Sequence, residues 1–129
     1  MLSLPPSVRI FVATQPVDGR KGVDSLATIV ANAFALDPLS GHLYVFFSRR
    51  RDRVRIIYWD TNGFAMWGKR LERGRFHALR GGEDKLSASA IDRTDLLLIL
   101  EGVDLGSARR RPRWEPQRPP QTEPKDRTL

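Results

Sequence analysis

The stretch LYVFFSRRRDRVRIIYWDTNGFAMWGKRLE, residues 43–72, decides how this chain folds. It holds three runs rich in β-branched and aromatic residues, parted by two polar connections. Residues 43–49, 54–60 and 64–72 are each expected to be a strand. A tight, charged connection around Arg51-Asp52 joins the first two. Thr61-Asn62-Gly63 joins the second and third, and Asn-Gly between aromatic runs marks a hairpin because both residues tolerate positive φ. The strand centres, Tyr44-Val45-Phe46-Phe47 and Ile56-Ile57-Tyr58-Trp59, are apolar without alternation. Such runs belong in the middle of a sheet or beneath a helix.

On the N-terminal side, Val8-Arg9-Ile10-Phe11-Val12-Ala13 reads as a short strand, and Thr14-Gln15-Pro16-Val17-Asp18-Gly19 as a turn. Val23, Leu26, Ala27, Val30 and Phe34 then recur at helical spacing, which predicts a helix over about residues 20–35. Asp18 is its expected N-cap, Asp24 sits in its electropositive first turns, and Asp37-Pro38 is its expected end. On the C-terminal side, residues 85–91 alternate weakly, as a last strand would. Asp92, Asp95 and Gly102 bracket Leu96-Leu97-Leu98-Ile99-Leu100 as the N-cap, first-turn acid and terminator of a short helix. The sum is an α+β fold: a small, mainly antiparallel sheet of three to five strands with two helices. Residues 1–105 read as one domain. Residues 106–129 hold five of the nine prolines and seven basic residues, and are expected to be a disordered Arg/Pro-rich tail.

The formal net charge of +7 is unevenly placed. Residues 1–48 are balanced, residues 49–80 carry +7, residues 81–105 carry −4 and residues 106–129 carry +4. A basic centre, an acidic stretch and a basic tail are the footprint of a polyanionic partner. Within the centre, Arg49-Arg50-Arg51-Asp52-Arg53-Val54-Arg55 sits at a hairpin tip and runs into a strand. Alternate strand residues share a face, so Arg51, Arg53 and Arg55 are expected along one ridge. Lys69, Arg70, Arg73 and Arg75 extend the segment, and guanidinium forks suit phosphate oxygens. In the tail, Arg109, Arg110, Arg111 and Arg113 precede Trp114, a combination that suits phosphate contact with stacking. The bland readings are a solvated, edge-blunting hairpin and a solubilising tail. Tyr58, Trp59, Phe64 and Trp67 lie beside the arginines; a hydrophobic core accounts for them better than a base-stacking platform.

Signals of catalysis are poor. There is no cysteine, and the two histidines, His42 and His77, do not stand at metal-ligand spacing with other ligands. Asp18, Asp37, Asp52, Asp60 and Glu72 fall mostly in turns and at caps, where a two-metal nuclease needs clustered acids. No phosphate-cradling glycine motif and no nucleophile elbow occurs, so neither metal nor cofactor is expected and a non-enzyme is. The opening residues lack the charged and apolar regions of a signal peptide, and a cytoplasmic location is the expectation.

Four blocks carry a family resemblance. They are Thr14-Gln15-Pro16-Val17-Asp18 with Arg20-Lys21-Gly22; Asp37-Pro38-Leu39-Ser40-Gly41-His42-Leu43-Tyr44-Val45-Phe46; Tyr58-Trp59-Asp60 through Gly63-Phe64, Lys69-Arg70-Leu71-Glu72-Arg73-Gly74 and Phe76; and Leu100-Glu101-Gly102-Val103-Asp104-Leu105 with Arg109-Arg110-Arg111. In this order the chain resembles the accessory proteins, called TnpB, encoded by the second open reading frame of IS-66-type bacterial insertion sequences. The resemblance covers about residues 7–114. It implies a role in transposition beside a separate transposase, which carries the catalytic acids. Gly19 departs from the family pattern and is expected to loosen the start of the first helix. His77-Ala78-Leu79 departs from a pattern that more often ends in Trp-Pro.

Two functions follow as expectations. One is a DNA-binding accessory factor using the basic hairpin and tail. The other is an adaptor that docks a transposase or a further element-encoded accessory protein through the acidic stretch and exposed aromatics, without touching DNA.

Overall fold

The apolar runs and stripes resolve into five strands and two helices in a computed structural model, which describes residues 5–77 and 85–102. In chain order they are β1 (Ile10–Ala13), α1 (Val23–Asn32), β2 (Leu43–Phe47), β3 (Arg53–Asp60), β4 (Gly63–Arg70), β5 (Ala88–Ile91) and α2 (Arg93–Leu100). One sheet contains all five strands in the order β4-β3-β2-β1-β5. β1 runs parallel to β2, because α1 carries the chain back across the sheet between them. The other pairings, β2–β3, β3–β4 and β1–β5, are antiparallel. The fold is thus α+β with a mainly antiparallel sheet, as expected.

Each face of the sheet is covered by one helix. Val23, Leu26, Ala27, Val30 and Phe34, the stripe read from the sequence, pack with Phe11, Ala13, Tyr44, Phe46 and Ile57. Leu96, Ile99 and Leu100 of α2 pack on the other face with Ile10, Val12, Val45, Phe47, Val54 and Ile56. Sandwiching between helices explains why every residue of β2 is buried and why its sequence does not alternate. Complete burial of a side chain such as Leu26 contributes about 1.5–3 kcal/mol.

Several boundaries differ from expectation, each for a local reason. α1 begins at Val23 behind Gly22, which makes no side-chain cap. Asp18 is not its N-cap, because its carboxylate accepts from the Arg20 backbone and guanidinium instead. Gly19 therefore lies outside the helix and does not weaken it. α1 stops at Asn32, before Asp37-Pro38. Ala35 enters the left-handed region with φ 54°, and Leu36 N donates back to the Val30 carbonyl at 3.0 Å, which closes the helix as a glycine-type cap would. At the β3–β4 turn, Asp60 pairs with Gly63, so Thr61 and Asn62 form the tip and Thr61, not Gly63, takes positive φ. The strand expected over residues 85–91 is restricted to Ala88–Ile91. α2 matches its signals: Asp95 N donates to Asp92 Oδ1 at 2.7 Å, and Gly102 at φ 88° ends the helix. The tail of residues 106–129, with its expected disorder, lies outside the described residues.

Candidate nucleic-acid interface

Sheet topology decides where the charges go. β1 and β2 end, and β3 and β5 begin, at the same end of the sheet, where β4 also finishes. The loops of residues 14–22, 48–52 and 71–77 therefore meet there. They bring together Arg20, Lys21, Arg49, Arg50, Arg51, Arg73 and Arg75, with Arg53 and Arg70 at the adjoining strand ends. Asp37, Asp60, Asp92 and Asp95 lie toward the opposite end, so part of the acidic stretch stands away from the arginines.

The arginine end is built on backbone bonds that leave most guanidinium groups free. Ser48, only 7% exposed, anchors the β2–β3 turn. Its N–H donates to the Arg53 carbonyl at 3.0 Å, and its hydroxyl accepts from Arg53 N at 3.2 Å and donates to Asp52 Oδ1 at 3.1 Å. Arg51 N donates to the Ser48 carbonyl, and Arg51 itself sits at φ 60°. The turn is tied to its neighbours. Leu71 N donates to the Asp52 carbonyl, Phe76 N to the Arg51 carbonyl, and Val17 N to the Phe47 carbonyl, at 2.8, 2.6 and 2.8 Å. Phe76 is buried against Phe47, with ring centroids 5.7 Å apart. The segment bearing Arg73 and Arg75 is thereby held beside the turn bearing Arg49 and Arg50.

A groove of about 430 Å³ opens between these loops, lined by Arg20, Arg49, Arg50, Arg53 and Arg70 together with Asp18 and Asp52. Asp18 pairs with Arg20 through Nε at 3.2 Å and Nη2 at 3.0 Å. These bonds, aided by Arg49, hold its carboxyl well below the usual carboxylate range. Arg70 makes one loose, exposed ion pair with Glu72 at 3.4 Å, a contact that contributes little.

The sequence-predicted residues separate into groups. Arg49, Arg50, Arg53 and Arg70 are exposed around the groove, and Arg73 and Arg75 are exposed beside it. Arg51, Arg53 and Arg55 do not form one ridge, because Arg51 belongs to the turn and β3 starts at Arg53. Arg55 is half-buried and turns inward; its guanidinium donates to the backbone carbonyls of Lys21 and Asp18, pinning the loop after β1. Burial, and then the charge of Arg53, push its pKa below the usual guanidinium value. Lys69 points to the opposite face, where Nζ donates to the Leu100 carbonyl at 3.2 Å and serves the C-terminus of α2. Arg109, Arg110, Arg111 and Arg113 lie outside the described residues.

Arg20 was not among the site residues read from the sequence. Its place became visible only through the parallel β1–β2 pairing, which sets the loop after β1 beside the β2–β3 turn. The aromatics also divide. Tyr58 and Trp67 pack against the α2-side core. Trp59 and Phe64 belong to neither core cluster and meet edge to face at 5.1 Å on the α1 side.

The profile of the IS66 Orf2-like protein family matches residues 8–110. The chain belongs to this family. Membership gives it a general association with transposition of IS66-type insertion sequences. Two proteins of Sinorhizobium fredii are similar. The uncharacterized protein y4jC is 37% identical over 107 residues, spanning 81% of this chain and 87% of its own length. The uncharacterized protein y4hO is 38% identical over 106 residues, spanning 81% and 88%. No solved structure matches. Among the described residues, no three or more His, Cys, Asp or Glu side chains are grouped to hold a metal ion. No helix there is long and apolar enough to cross a membrane.

Proposed function

We propose that this chain is the TnpB-type accessory factor of an IS66-family element, and that it binds DNA in the cytoplasm without catalysing a reaction on it. The observation that carries this reading is the meeting of three arginine-bearing loops at one end of the sheet. Exposed guanidinium forks around a shallow groove suit phosphate oxygens, and their number replaces the need for any single deep contact. Turn, loop and strand ends are cross-tied through backbone bonds, so the backbone is already ordered and the entropy lost on binding is that of the arginine side chains.

Counterion release supplies the test. Each phosphate neutralised contributes roughly −0.9 to the slope of log K against log salt for duplex DNA. The full-length chain is expected to show a steep slope, which the combined Arg49, Arg50, Arg53 and Arg70 to Ala variant reduces by about three to four. Substituting Arg109, Arg110, Arg111 and Arg113 instead measures the tail. An affinity that stays flat between low and moderate salt would overturn the reading.

The opposed charges favour an added role. Asp92 and Asp95 at the start of α2 lie at the end of the sheet away from the arginines, where a transposase or second accessory protein can dock while DNA is held. Capture of purified transposase after nuclease treatment, weakened by Asp95→Asn together with Asp60→Asn, which leave the Asp92 cap side chain in place, supports this. Capture that disappears with the DNA counts against it.

A further inference from the structure

On the α1 side of the sheet, the β3–β4 hairpin presents a graded row of residues. Register places Arg53 opposite Arg70, Arg55 opposite Gly68, Ile57 opposite Met66, and Trp59 opposite Phe64. Ile57 is buried beneath α1, but the β4 members of the row are not taken into the α1 core. Met66 is 50% exposed. Gly68 is exposed, and a Cβ there would meet nothing closer than 3.6 Å, so this position is a side-chain-free floor in a groove of about 380 Å³ lined also by Arg53, Arg55 and Arg70. The row therefore runs from guanidinium groups, across an open floor, to a thioether and two aromatic rings. Six residues of strand separate Arg53 from Trp59, roughly 20 Å at about 3.3 Å per residue.

We infer that this face is a track for single-stranded DNA, with phosphates held at Arg53 and Arg70 and unpaired bases lying over Met66, Phe64 and Trp59. The inference rests on the proposed arginine-end reading for its phosphate contacts and adds the substrate class. The occupant must be anionic at one end and present flat apolar surfaces at the other. A single strand meets both demands, because its phosphates and exposed base faces alternate along one chain. A duplex buries its base faces in the stack, and would leave Met66 and the aromatic pair without a partner. Base–aromatic stacking tolerates any sequence, since every base has a π-face. With its bases splayed onto the protein the strand is extended to about twice the 3.4 Å stacked rise, so the track spans about three nucleotides.

The test compares the intact chain on three probes of equal length: an oligothymidylate, an abasic deoxyribose-phosphate strand, and a duplex, each read by fluorescence anisotropy at fixed salt. The thymidylate is expected to bind at least about tenfold more tightly than the abasic strand, within the fivefold to hundredfold range per stacked base. Trp59→Ala is expected to erase that ratio. Met66→Glu, at an exposed position that tolerates polarity, is expected to erase it too and guards against a Trp59 variant that fails to fold. The Arg53→Ala, Arg70→Ala double variant is expected to weaken all three probes and to preserve the ratio. Equal binding of thymidylate and abasic strands by the intact chain overturns the track while leaving the arginine-end reading intact. A self-associated form that Met66→Glu dissociates and thymidylate does not displace also overturns it, because a second copy then holds the face. Loss of all binding dependence on Arg53 and Arg70 defeats the underlying reading instead.

Discussion

Arg55→Met separates a structural arginine from a phosphate-binding one. Methionine keeps much of the apolar stem and removes the guanidinium, whose two donors hold the Lys21 and Asp18 carbonyls across more than thirty residues of chain. Hydrogen bonds from a charged group contribute about 1.5–3 kcal/mol each when shielded. Here the site is half-buried and water can replace the lost donors at both carbonyls, so the pair is worth about 2 kcal/mol in total. For a domain of this size the melting temperature should fall by about 8–16 °C, followed by circular dichroism at neutral pH. Arg55→Lys should recover little of the loss, because one ammonium lacks the fork that spans two carbonyls. The slope of log K against log salt for DNA should stay near that of the parent, although affinity itself declines as the loop bearing Arg20 loosens. An unchanged melting temperature together with a slope reduced by about one would show that Arg55 contacts phosphate, and the pinning argument would be refuted.

Three further outcomes are expected. Lys69→Met should lower stability by about 0.3–1 kcal/mol, through loss of the cation at the end of α2, and leave DNA affinity nearly unchanged; a large affinity loss with no change in melting contradicts the assignment. Ala35→Gly should stabilise the protein by about 0.5–1 kcal/mol, because glycine adopts the left-handed conformation without a Cβ clash; a lower melting temperature counts against that backbone geometry. The Asp18 carboxyl should remain ionised well below the usual carboxylate pKa of about 4. Because pairing with Arg20 depresses its folded value, its contribution to stability is present above the unfolded pKa and is lost only as pH falls through the lower folded one. Carboxyl-carbon NMR should therefore show Asp18 flat between about pH 5 and 3 while ordinary carboxylates titrate, and a midpoint near 4 would mean the Arg20 pairing is not made in solution.

How far the sequence could be read depended on the range of the interaction. Local signals served well: the Asp92 cap with its Asp95 N–H bond, the apolar stripe of α1, and the doubly buried centre of β2. Half-local signals slipped by a residue or two. Asn62-Gly63 has good turn chemistry, yet the Asp60–Gly63 pairing shifts the strained position to Thr61. Asp18 has good capping chemistry, yet Arg20 two residues on competes for the same carboxylate. Long-range facts were invisible. Nothing in residues 49–70 indicates that Arg55 will reach the carbonyls of Asp18 and Lys21, or that Lys69 will find α2. The basic cluster was legible as composition, whereas its division into exposed and structurally engaged cations required the sheet.

The pairing of β1 with β5 has a consequence for biosynthesis. Ile10 finds its antiparallel partner only in Ile91, most of a domain later. On the ribosome, β1 gains β2 once α1 has emerged, but its other edge stays open until residues 88–91 are made. Such non-local closure slows folding and leaves a strand edge available to other chains. The open edge therefore favours cotranslational association with a chaperone or with another nascent copy in the interval before β5 emerges. A product truncated before that strand would keep the arginine turn and yet expose an unpaired edge. The basic end, built from β1 to β4 and their loops, is thus complete in the chain before the last strand closes the sheet.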